Sequence, residues 1–138
     1  MHVVAYEHAL EYPYDRYGLR FPRLAMRLVS PNGAEAADID AYLDTGAERS
    51  LFSGHLAPVV GLELLAGKPV DFQSVTGAHL QARLHPVRLE HPALGLFSID
   101  VAFSVSGLSR NLLGRDFLAQ IQVGFREAHQ VFFVTAQP

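Results

Sequence analysis

The chain has 138 residues, 49% of them hydrophobic and 18% charged, with a formal net charge of −3. That length fits one globular domain with a real core and is too short for two full enzyme domains, and the negative balance offers nucleic acid no electrostatic footprint. No cysteine is present, which excludes disulfides, thiolate nucleophiles and cysteine-ligated zinc together.

Residues 1–20 hold four of the five tyrosines, Tyr6, Tyr12, Tyr14 and Tyr17, and read as an arm whose rings pack on the domain or on a partner. The domain proper is expected over 21–138. The start of the chain lacks the basic residues and apolar run of a secretion signal, and no stretch is long enough to span a bilayer, so a cytoplasmic address without a membrane partner is expected.

Arg23 to Val29 alternates, with Leu24, Met26 and Leu28 on one side, as a half-buried strand does. Ser30-Pro31-Asn32-Gly33 predicts a hairpin turn, because proline presets φ and Asn-Gly tolerates positive φ. The returning strand carries Ile39, Ala41 and Leu43 on one face and runs into Asp44-Thr45-Gly46. Ser53 reads as the cap of a short helical turn over His55 to Val60.

Val70 to Val75 and Ala78 to Leu89 flank Thr76-Gly77 as a hairpin tip. In the second arm the apolar parity switches from Leu80, Ala82 and Leu84 to Val87 and Leu89, and Pro86 at the switch predicts a bulge or bend. A strand follows through Phe97, Ile99, Val101 and Phe103. Asn111 to Gly114 is a brief apolar run, Arg115 to Gln120 reads as a short helix, and two last strands lie near 121–125 and 130–134. The pattern is that of an all-β domain with a closed or folded-over sheet.

Two segments carry chemistry, Tyr42-Leu43-Asp44-Thr45-Gly46-Ala47 and Asn111-Leu112-Leu113-Gly114-Arg115-Asp116. A bare Asp-Thr-Gly arises by chance in roughly a few per cent of chains this long. Here it closes an alternating strand and is joined by a glycine-tipped hairpin and a late apolar-apolar-Gly-Arg. An acid that activates water needs a fixed position, which the end of a buried strand provides. Gly46 permits a sharp turn, and Thr45 supplies a hydroxyl for bonding across a tight centre.

Together these segments resemble the retropepsin family of single-domain aspartic proteases, over about residues 21 to 134. The resemblance implies a retropepsin-type β-barrel with one short C-terminal helix, acting as a symmetric homodimer on peptide or protein substrates without a cofactor. It implies Asp44 as the catalytic carboxylate and Thr45, Gly46, Ala47, Glu48, Leu112, Leu113, Gly114 and Arg115 as support for its loop. Val75, Thr76, Gly77 and Ala78 become the flap over the substrate, and Glu48 and Arg115 an ion pair beneath the loop. Glu48 stands where retroviral members commonly have Asp, and the flap has one glycine where many have several.

One carboxylate cannot act as both base and acid, and a second copy of the chain is the simplest source of its partner. The alternative is a catalytically silent retropepsin-fold module that dimerises or binds peptides. An all-β hydrolase or small-ligand binder ranks below both, since no pocket for it can be located. The seven histidines form no metal-ligand spacing, so no metal is expected. Ser53-Gly54-His55 lacks a nucleophile-elbow pattern.

Overall fold

The computed structural model describes residues 1–137. Its main body is built from β2 (Arg23–Val29), β3 (Ala36–Leu43), β4 (Leu51–Phe52), β5 (Lys68–Gln73), β6 (His79–His91), β7 (Gly95–Ser104) and β8 (Asn111–Leu113). These form one sheet in the order β2-β3-β8-β4-β7-β6-β5, and a further pairing of β2 with β6 closes six of them into a barrel. The β3–β8 and β4–β7 pairs are parallel. Closure removes sheet edges, leaving only β5 outside the ring, hanging on β6.

The expected alternation places the core. Leu24, Met26 and Leu28 of β2 and Ile39, Ala41 and Leu43 of β3 are buried, and they meet Val87, Leu89, Phe97, Ile99, Val101 and Phe103 from β6 and β7. The hairpin after β2 forms as read, with the Gly33 N–H donating to the Ser30 carbonyl at 2.9 Å.

The bulge expected at Pro86 is absent. Pairing of β6 with β7 runs in constant register from Ala82 opposite Ser104 to His91 opposite Gly95. The parity switch has another cause: β6 serves two clusters on opposite faces. Ala82 packs with Leu51 and Ala102 in a small cluster joined by Phe72, Leu80 and Leu84, while Val87 and Leu89 face the main core. Proline is tolerated because the other side of β6 is paired by β5 only up to Leu84 and by β2 only from Arg88. Residues 85–87 therefore face no second strand on that side, and no ladder donor is required of them there.

A short helix, α1 (Leu56–Val59), follows β4, but Ser53 does not cap it through its hydroxyl. The Ser53 carbonyl instead accepts the Leu56 N–H at 3.1 Å, and its own N–H donates to Asn111 Oδ1 at 2.9 Å. The late helix, α2 (Arg115–Leu118), is as short as the sequence suggests.

The ends of the chain make a second sheet. Strand β1 (His8–Glu11) pairs with β10 (Val131–Ala136), which pairs with β9 (Ile121–Arg126), all antiparallel. Tyr12 is fully buried against Phe132, and its hydroxyl donates to the Glu127 carboxylate at 2.6 Å. Of the arm tyrosines, Tyr6 and Tyr12 thus pack within the chain, whereas Tyr14 and Tyr17 are exposed. Among the described residues no helix is long and apolar enough to cross a membrane.

Candidate active site

Strand β3 delivers Asp44 to the rim of the barrel. Leu43 is buried and sits opposite Leu113 in the parallel β3–β8 pair, and the Asp44 N–H donates to the Leu113 carbonyl at 2.9 Å. The carboxylate is half-buried, with Oδ1 accepting the Gly46 N–H at 2.9 Å. One oxygen is therefore tethered and the other is without a hydrogen-bond partner among the described residues.

The loop after Asp44 is clamped to the turn before α2. The Arg115 N–H donates to the Ala47 carbonyl at 2.7 Å and the Asp116 N–H to the Glu48 carbonyl at 3.2 Å. Ser50, fully buried, donates from Oγ to Asp116 Oδ1 at 2.7 Å, and accepts the Gly114 N–H at 3.0 Å. The Asp116 carboxylate also takes the Ser50 N–H at 2.9 Å and the Phe117 N–H at 2.8 Å. Gly114 is required by contact: a Cβ there would lie 2.6 to 2.8 Å from backbone atoms of Arg49 and Ala47.

A buried apolar strand thus ends in a half-exposed Asp-Thr-Gly carboxylate and is locked to a parallel strand and the turn after it. A sequence model of the family described as retroviral aspartyl protease matches residues 22–126. The chain belongs to that family.

The fold agrees with this membership. A retropepsin-like aspartic protease from Rickettsia conorii superposes with a TM-score of 0.64 at 19% identity, covering 99% of this chain and 98% of the other. EIAV protease, in a structure complexed with the inhibitor HBY-793, superposes with a TM-score of 0.51 at 19% identity over 72% of this chain and 86% of its own. No curated protein matches in sequence.

Other residues expected at the site fall as follows. Thr45 is exposed and its hydroxyl has no hydrogen-bond partner among the described residues. Leu112 is half-buried and Leu113 fully buried, paired with Tyr42 and Leu43 of β3. Val75, Thr76, Gly77 and Ala78 form the β5–β6 hairpin tip, where the Gly77 N–H donates to the Ser74 carbonyl at 2.9 Å and Gly77 has φ +87°. That backbone conformation suits glycine, and a Cβ there would meet open space. Val75 is fully exposed.

The expected Glu48–Arg115 ion pair is not formed within the chain. Both side chains are exposed and line a cleft of about 790 Å³ beside Thr45 without an ion-pair contact. The backbone of this region is held instead by Ser50 and Asp116, one residue beyond Arg115. Sequence reading passed over that pair, although Ser50 is a lone hydroxyl entering the apolar Leu51-Phe52 strand, where a polar group must find a partner. Among the described residues, no three or more His, Cys, Asp or Glu side chains converge as a metal site.

Proposed function

We propose that the protein is an aspartic endopeptidase in which two copies of Asp44, one from each subunit of a homodimer, activate a water against a peptide bond. The observation that carries this reading is the Asp44 carboxylate itself, tethered through Oδ1 at the end of a buried strand and open at its other oxygen. A chain with one Asp-Thr-Gly supplies half of the required acid–base pair. Two carboxylates brought together cannot both ionise freely and share one proton.

In that state the ionised carboxylate takes a proton from water as its oxygen attacks the scissile carbonyl carbon. The protonated carboxylate gives its proton to the carbonyl oxygen. The tetrahedral adduct collapses when the amide nitrogen is protonated and leaves. The exposed Thr45 hydroxyl is suited to bond across the two-fold axis, and the hairpin around Gly77 to cover a peptide bound as an added strand. The lack of cysteine fits a reducing compartment such as the cytoplasm.

The test is digestion of a peptide library by purified protein beside an Asp44→Asn control. Cleavage should fall at least about 10²-fold in the control. Cleavage that persists there removes Asp44 from the mechanism.

A further inference from the structure

We infer that Arg110, stacked on Tyr42 and Phe21 beside the Asp44 loop, forms a side-chain subsite that selects acidic residues in the peptide substrate. This rests on the reading of Asp44 as the catalytic carboxylate and adds to it a substrate class.

The placement follows from β3 and its neighbour. Ile39, Ala41 and Leu43 point into the barrel, so Asp40, Tyr42 and Asp44 share the outer face. Tyr42 is one strand repeat before Asp44, about 7 Å along that face. Because β8 lies parallel to β3 with Leu112 opposite Tyr42, the residue just before β8 returns over the Tyr42 ring. The Arg110 guanidinium stands 4.7 Å from the Tyr42 ring centre and 5.2 Å from that of Phe21, and the two rings are 5.6 Å apart.

The charges of this patch are unequally committed. Arg23, also stacked on Tyr42, is mostly buried, pairs with Asp40 and donates to the carbonyls of Pro13 and Tyr14. Arg110 is exposed and has neither an ion pair nor a hydrogen bond among the described residues. With Arg23 matched by Asp40, the cation of this patch left without an ion-pair partner among the described residues is the Arg110 guanidinium. The rings hold the guanidinium by cation–π contact, and its N–H groups make no hydrogen bond among the described residues, which leaves them free to take a carboxylate, a partner that a guanidinium can grip through two parallel bonds.

A peptide laid over Asp44 as a strand advances about 3.3 Å per residue with alternate side chains on one face. A side chain within two or three positions of the scissile bond therefore reaches Arg110. In a two-fold dimer each subunit presents its own copy of the platform, so acidic residues are favoured at positions symmetric about the cut.

The experiment compares matched peptides carrying Glu, Gln or Lys at each of three positions on either side of one cleavage site. At one symmetric pair of positions, kcat/KM for Glu should exceed Gln by roughly threefold to fivefold, with Lys below Gln. The Glu-to-Gln ratio should fall to about one in Arg110→Gln, invert toward Lys in Arg110→Glu and survive in part in Arg110→Lys. Ratios within one variant cancel any loss of folded protein. A ratio of one at every position in the native protein, or a preference unchanged by Arg110→Gln, overturns the inference. If the native protein cuts none of the peptides, the proposed function fails, while fluorescence anisotropy of the same peptides on Asp44→Asn protein still decides the subsite. There the Glu peptide should bind more tightly than the Gln peptide in an Arg110-dependent way; equal binding, or none, overturns it.

Discussion

Ser50 is a buried hydroxyl with two obligations, giving its proton to Asp116 and receiving the N–H of Gly114. Ser50→Ala leaves that N–H without a partner in the interior, which costs about 1–3 kcal/mol. Because Gly114 follows the strand that holds Asp44, cleavage should weaken along with the denaturation midpoint. By contrast, Arg115→Ala removes an exposed side chain that makes no ion pair among the described residues, and its stability should change by no more than about 0.5 kcal/mol. Chemical denaturation of the two variants beside the native protein checks both outcomes. Equal losses would return Arg115 to the role that sequence alone suggested. Gly114→Ala should be worse than either, since its new Cβ meets backbone that cannot swing aside.

Among the elements, β1 is held by a titratable latch. Burial first, then the hydrogen bond and charge of Glu127, push the Tyr12 phenol up to about 12 from its ordinary 10.0. A raised folded value means the protonated phenol is the stabilised form. Its contribution is complete below pH 10 and is lost as pH rises from there through about 12. Tyr12→Phe should therefore lose the alkaline step between those pH values in a melting-temperature profile. A step that survives the substitution assigns it elsewhere.

At the β6–β7 turn the sign is opposite. Burial, followed by the charge of nearby His8, lowers His91 from its ordinary 6.5, and its neutral ring accepts the N–H groups of Ala93 and Leu94 through Nδ1. A depressed value means the neutral ring is the stabilised form. That contribution is present above about pH 6.5 and is lost as pH falls below it. His91→Asn should flatten the acid limb of the same melting profile.

For the whole molecule, the two-fold reading predicts that activity follows assembly. Diluted through the dimer dissociation constant, specific activity should fall in step with the monomer fraction measured by sedimentation. Full activity in a demonstrated monomer would defeat the shared-site mechanism. The rate should also pass through a maximum with pH, because one proton shared by the pair is lost on the alkaline side and joined by a second on the acid side. A rate still climbing at alkaline pH would point to a different nucleophile.

The barrel was legible in the sequence because its strands bury one face each: the alternations at Leu24-Met26-Leu28 and Ile39-Ala41-Leu43 mark residues that tertiary packing then uses as written. The positions of Asp44 and Gly46 were legible because both are local, set by a strand end and a turn. Tertiary structure alone decided the rest. Pro86 predicted a bulge because parity records only which face is apolar, and β6 buries different faces against different clusters along its length. The tie beside the Asp44 loop passed from Glu48 and Arg115 to Ser50 and Asp116 because side chains 66 residues apart meet only when β8 docks between β3 and β4. Arg110 over Tyr42 arises from the same docking. Pairings between strands distant in sequence fix which polar groups are buried together, and a one-dimensional pattern holds no record of that distance.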